Sequence, residues 1–212
     1  MADLPRQLTA PPHAAAHLLQ YHDLIESIVS ALDARDTYTA SHSNRVADMV
    51  LVLAAALGLD SDETALIHIA AHLHDIGKIA VPDAVLRKTG PLTADEWQEM
   101  RRHPVTGYNI LRRVADFQDI AVLVLHHHER WDGRGYPDGL SGDQIPISAQ
   151  VVAMADVYDA LVSKRVYKDA YAPDVAVQMI LHGDCGAFNP LLLDCLTDLQ
   201  DTFKAELAAP EE

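Results

Sequence analysis

The feature that most constrains this chain is the spacing of its apolar residues, which recur every three and four positions and almost nowhere alternate. Leu18, Tyr21, Leu24, Ile25, Ile28 and Leu32 form one such stripe, and Leu66, Ile69, Ala70 and Leu73 form another. A period of about 3.6 residues is that of a helix with one buried face, whereas a half-buried strand needs a period of two. The first helix is expected from about His17 and a second from near Thr39 through Val46, Met49, Val50 and Leu53 to Gly58. A third should begin after Asp60 or Ser61, with Glu63 at the positive end of its dipole. Residues 78–88 read as an irregular connection. Thr93 and Glu96 have capping-box spacing, so a helix is expected from there to about His103. Pro104 suits the first turn of the next, whose buried face would be Val105, Tyr108, Ile110 and Leu111.

Asp116 or Asp119 opens an apolar helix over residues 120–125, Ser148 caps one running to about Ser163, and another follows Pro173. Asn189 and Pro190 supply a cap and a first-turn proline for the last. The expected fold is all-α: a helical bundle with a long Gly/Pro-rich loop over residues 131–147. Hydrophobic content of 49% with only 6% aromatics fits such a bundle. Residues 1–16 read as a flexible leader or linker stub, 17–207 as the folded domain and 208–212 as a disordered tail.

Charge and cysteines narrow the function. A net charge of −15 argues against nucleic-acid polymers and anionic membranes as partners. It leaves room for a small anionic ligand, because bound cations reverse the local field. Cys185 and Cys195 are too few for a disulfide framework and lack zinc-site spacing, so both read as inert thiols in a reducing cytoplasm. No secretory signal is visible, and the longest apolar run, residues 49–59, is too short to cross a bilayer.

The chemistry-bearing residues are histidines and aspartates. Residues 126–137 read H-H-H-E-R-W-D-G-R-G-Y-P, joining consecutive imidazoles at a helix end to a turn-rich loop. Adjacent histidines on a helix point about 100° apart, so His127 and His128 can serve one metal only where the backbone relaxes. The following glycines and proline permit that. His42, the pair His74-Asp75, His103 and Asp156 lie on or beside apolar helix faces elsewhere. Singly, each has an ordinary reading: a surface histidine for His42, a satisfied core histidine for His74, a charge at a helix C-terminus for His103, a buried carboxylate for Asp156. Burying all of them without partners would cost several kcal/mol apiece, and a shared cation cluster removes that cost. His68, His72 and His126 read as packing or surface residues, and His13, His17 and His22 as solvated. Trp97 and Trp131 read as structural.

Five pieces in order resemble one family. They are D-x-Y-T-x-x-H-S-x-R-V at residues 36–46, H-D-I-G-K at 74–78 and H-P-V-T-G at 103–107, then H-H-E-R-W-D-G-R-G-Y-P at 127–137 and A-D-V-Y-D-A-L-V-S-K-R-V-Y-K at 155–168. Together they resemble the HD-GYP subgroup of the HD-domain metal-dependent phosphohydrolases over about residues 20–195. The resemblance implies an HD-domain-like bundle with the metal ligands His42, His74, Asp75, His103, His127, His128 and Asp156, Asp75 bridging. It implies two divalent cations, iron or manganese by their ligand mixture, with zinc, nickel or cobalt as alternatives. Members with a third metal carry a Glu one turn before the first histidine; Tyr38 stands there in this chain.

The implied activity is hydrolysis of cyclic di-GMP, a bacterial second messenger, to pGpG and/or GMP, as part of signal transduction. Two cations about 4 Å apart would ready a water for in-line attack. Asp75 and Lys78 would be the catalytic residues, Lys78 reaching a phosphate oxygen. Arg165 and Lys168 would clamp the phosphates, Asp159 would meet a guanine edge or orient Arg165, and Tyr136 would stack on a base or shape the pocket rim. Glu129, Arg130 and Asp132 read as holding the loop, and Ser43 and Arg45 as support for His42. Cyclic di-GMP or a related cyclic dinucleotide is the expected ligand, with a protein partner through the G-Y-P loop and a homodimer compatible with the sequence. Two rivals stand beside this reading: a phosphohydrolase for another nucleotide, and a module that binds cyclic di-GMP or a partner without turnover. The chain carries no receiver or sensor domain, so it either acts alone or is cut from something larger.

Overall fold

The computed structural model describes residues 21–35, 41–164 and 169–199. The leader and the tail lie outside these residues, as do Tyr38, Arg165 and Lys168. All regular structure among the described residues is helical. The order is α1 (His22–Asp33), α2 (His42–Leu57), α3 (Ser61–Leu73), a 3-10 segment (Ile76–Ala80), α4 (Asp83–Leu86), α5 (Ala94–Met100) and α6 (His103–Leu111). After them come α7 (Gln118–His126), α8 (Ile147–Val162), α9 (Pro173–Leu181) and α10 (Pro190–Asp198). No helix among them is long and apolar enough to cross a membrane.

The bundle is wrapped around α3. Leu66, Ile67, Ile69, Ala70, Ala71 and Leu73 are all buried, so this helix is apolar nearly all round, as a central helix must be. It packs against α1, α2, α7 and α8. Its start is set by Asp60, whose side chain accepts from the amides of Asp62 and Glu63 in a capping box. The Thr93–Glu96 box likewise starts α5, and Asn189 caps α10.

Several expected boundaries moved. On α1 the buried stripe is Ile25, Val29 and Leu32, while Leu24 and Ile28 face outward at 59% and 41% exposure. Residues 78–88 are not irregular throughout but contain the end of the 3-10 segment and the short α4. α5 stops at Met100, so His103 opens α6 rather than closing the helix before it. The buried side of α6 is His103, Pro104, Gly107 and Leu111, with Val105 and Ile110 partly outside. α7 begins at Gln118, after a 3-10 turn (Ala115–Phe117) that includes Asp116. Pro146, not Ser148, precedes α8; Ser148 lies buried inside the first turn.

Candidate metal centre

His74, His103 and His127 are positioned by one device. His74 follows the last residue of α3 and donates its Nδ1 hydrogen to the Ala71 carbonyl at 2.7 Å. His103 donates to Met100 O at 2.8 Å, and His127 to Val124 O at 2.7 Å. A carbonyl oxygen only accepts, so each Nδ1 carries the hydrogen and each Nε2 keeps a lone pair. His42, at the start of α2, is held by Nδ1 to Asp159 Oδ2 at 2.6 Å, so Nε2 is the nitrogen it can offer a cation in exchange for its proton.

These lone pairs converge. His103 Nε2 and His127 Nε2 lie 3.3 Å apart, with His103 Nε2 3.4 Å from Asp75 Oδ1. His74 Nε2 is 3.4 Å from the other Asp75 oxygen, is buried and has no hydrogen-bond partner. His42 Nε2 is 3.2 Å from Asp156 Oδ1. The donors fall into two groups, His42/His74/Asp75 and His103/His127/His128, each with ligand atoms within 4.8 Å of one another. Asp75 turns one oxygen to each group. His127 and His128 serve the same group because α7 ends at His126 and their rings tilt to 4.0 Å between centroids. An imidazole and carboxylate set with inward lone pairs and a partnerless Nε2 fits two adjoining divalent cations.

These donors polarise one another strongly. Burial would lower His42, but its bonds to Asp156 and Asp159 outweigh that and raise it to about 9. Burial holds His103 near 4 and His128 near 3, and His127 well below its usual range. Against burial, Lys78 and then His74 keep the Asp75 carboxyl well below the ordinary value, so it is ionised.

Two glycines let the segments meet. A Cβ on Gly77 would stand 1.9 Å from the His103 carbonyl oxygen, so only glycine brings the 3-10 segment against α6. A Cβ on Gly135 would stand 2.4 Å from Glu129 Cα and 2.5 Å from Arg130 N, which is how the loop folds back onto His128. The Tyr136 amide donates to His128 O at 3.2 Å, and Glu129 Oε1 accepts from the Asp138 and Gly139 amides. Arg130 pairs with Asp132, so these loop residues hold the loop as expected.

The centre opens into a cavity of about 700 Å³ whose lining includes His42, Asp75, Lys78, His103, His128 and Asp156. Lys78 Nζ is 2.6 Å from Asp75 Oδ2, and Tyr136 lies against the His128 ring at 4.8 Å. Asp159, expected to meet a guanine edge or orient Arg165, faces His42 and Arg45, and Arg165 lies outside the described residues. Asp159 is 1% exposed, bonds His42, and accepts from Arg45 Nε at 2.6 Å, so it fixes the His42 ring. Neither Arg101, whose guanidinium lies 4.5 Å over the Tyr136 ring, nor Arg35 stood out in the sequence. Arg35 donates to the carbonyls of Lys78, Ile79 and Val81 and so fixes the segment that carries Lys78. Trp97, read as structural, is 45% exposed and lines the cavity.

Fold and donor set together define a helical domain built around a candidate dinuclear centre. Residues 23–185 match the family model described as HD domain, and this chain belongs to that family. It is 43% identical over 176 residues to the cyclic di-GMP phosphodiesterase response regulator RpfG of Xanthomonas campestris, covering 82% of this chain and 47% of that protein. It is 40% identical over 185 residues to the 3'3'-cGAMP-specific phosphodiesterase 2 of Vibrio cholerae, covering 86% and 35%. The chain thus spans less than half the length of either relative. Among solved structures, an HDG"Y"P protein from Bdellovibrio bacteriovorus superposes with a TM-score of 0.64 at 21% identity, over 91% of this chain and 68% of that one. That likeness is one of fold: a helical domain of the same architecture.

Proposed function

We propose that this chain is a metal-dependent phosphodiesterase that hydrolyses cyclic di-GMP to pGpG and/or GMP in a bacterial cytoplasm, using two cations, iron or manganese. The observation that carries the reading is the pair of donor groups with one Asp75 oxygen turned to each, beside a cavity that Asp75 helps to line. Bound there, the cations would supply Lewis acidity, lowering the pKa of a water and neutralising phosphate charge. His42, His74, Asp75 and Asp156 would hold one cation, and Asp75, His103, His127 and His128 the other. Lys78 would leave Asp75 to meet a phosphate oxygen in the transition state. Val85, Leu86, Pro91, Leu92, Trp97 and Met100 give the cavity apolar lining suited to a base, and Tyr136 lines it too. Arg165 and Lys168, shortly after α8 in the sequence, are the proposed phosphate clamp.

A second reading, turnover of a mixed cyclic dinucleotide, is favoured by the name of the Vibrio relative. The deciding experiment is metal analysis of freshly purified protein, paired with product detection from cyclic di-GMP and 3'3'-cGAMP under reducing conditions with added iron or manganese. Metal-dependent cleavage of cyclic di-GMP that disappears in His74→Ala and Asp75→Ala supports the proposal. Cleavage of 3'3'-cGAMP alone assigns the second reading. Metal-loaded protein inert towards both overturns the activity and leaves a binding module.

A further inference from the structure

A second histidine cluster lies away from this centre. His22 opens α1, and His68 and His72 stand one turn apart on α3. Their ligand atoms all lie within 4.8 Å of one another. The rings are packed in a triangle, with centroids 4.8 Å apart for His68 and His72, 5.3 Å for His22 and His72 and 5.8 Å for His22 and His68. His68 Nδ1 donates to the Ala47 carbonyl at 3.3 Å, which fixes its tautomer and leaves the Nε2 lone pair facing His72 Nε2 at 3.3 Å. His72 is 4% exposed, and its Nδ1 is buried without a hydrogen-bond partner. Glu26, one turn along α1, brings a carboxylate oxygen to 3.9 Å from His22 Nδ1. No residue is shared with the centre above: His72 precedes His74 by two positions, about 200° round the helix.

We propose that His22, His68 and His72, with Glu26 or water as fourth donor, form a separate cation site of the zinc class that clamps α1 onto α3. Three imidazoles and one oxygen suit a four-coordinate Zn²⁺ and are poor in the oxygen donors that Mg²⁺ and Ca²⁺ need. The site ties a helix that is otherwise held by a narrow stripe, Ile25, Val29 and Leu32. It also bears on the cavity at a distance, because Arg35, just past the end of α1, grips the backbone around Lys78.

The test titrates Zn²⁺ alone into the full chain and counts bound metal by equilibrium dialysis and elemental analysis, with thermal unfolding alongside. His22→Ala, half-exposed at a helix start, is the main variant, and His68→Gln the second. Wild type should take up one more equivalent of Zn²⁺ than either variant, and its Zn²⁺-dependent rise in Tm should shrink in both. Equal stoichiometry and equal Tm shifts in wild type and His22→Ala would overturn the proposal, whether or not His68→Gln folds. The readout counts cations and does not depend on phosphodiesterase activity, so either proposal can fail alone.

Discussion

Replacing Asp159 with Asn tests how the centre is held. The carboxylate is 1% exposed; Oδ2 accepts from His42 Nδ1 at 2.6 Å, and Oδ1 accepts from Arg45 Nε at 2.6 Å and from the Ser163 hydroxyl at 3.2 Å. An amide of nearly equal volume keeps the packing but removes the charge that makes His42 a better donor. Loss of such a partner weakens metal binding by about 10- to 100-fold, or about 1.4–2.8 kcal/mol at about 1.4 kcal/mol per tenfold. Asp159→Ala should cost more, because it removes the acceptor that Arg45 Nε and His42 Nδ1 share. The assay is competition of Mn²⁺ against a chelator of known affinity, read with urea unfolding on the same samples. Turnover at saturating metal should recover in Asp159→Asn, since the residue touches neither substrate nor cation. A guanine contact would behave in the opposite way, raising KM for the dinucleotide while leaving metal affinity alone. That second pattern would refute the positioning role.

Gly135→Ala should displace the loop and abolish most activity, because the added Cβ meets backbone at 2.4 and 2.5 Å and backbone cannot yield as a side chain would; normal kinetics would show the loop is not needed in this place. Lys78→Ala should lower kcat by about 100-fold, the usual cost of one charge-stabilising donor, with metal content retained; a change confined to KM would remove Lys78 from the chemistry. Chelator-treated protein should be most stable near neutral pH. His42, raised from 6.5 to about 9, contributes stability that is present below about 6.5 and lost as pH rises through 9. His103 and His128, lowered to about 4 and 3, are protonated first in the unfolded chain, so stability also falls as pH drops below 6.5. A urea midpoint that stays flat between pH 5 and 9 would contradict both shifts.

What the sequence made legible was chemistry carried in short pieces. His42, His74, Asp75, His103, His127, His128 and Asp156 could be named because each is a ligand-type residue on or beside an apolar stripe, and the fold brings all seven to one place. Phase was less legible than period. On α1 the apolar residues spread over two neighbouring faces, and only packing against α3 decides that Ile25 and Val29 go inside while Leu24 and Ile28 stay out. Roles that depend on distant partners were invisible. Asp159 meets a histidine 117 positions away, and Arg35 reaches carbonyls 43 to 46 positions on; no local spacing encodes either. For His103 the spacing predicts the wrong end of a helix, because the Thr93 box marks a start and nothing nearby marks the stop at Met100.

That misplaced boundary matters, because it hides the rule by which the centre is built. Ala71 lies in the last turn of α3, Met100 ends α5, and Val124 lies in the last turn of α7. Carbonyls there have no amide within their own helix to accept from. An imidazole three residues further on supplies that hydrogen through Nδ1, so the same contact satisfies a helix end and sets a ligand's tautomer. Three helix C-termini, each carrying partial negative charge worth about 0.3–1 kcal/mol to a nearby cation, therefore end one imidazole ring away from the place where the lone pairs meet. Asp75 and Asp156 add full negative charges to that field. A chain with a net charge of −15 would repel a phosphodiester from such a centre unless cations reversed the sign inside it, so the arrangement that attracts metal is also what makes an anionic substrate admissible.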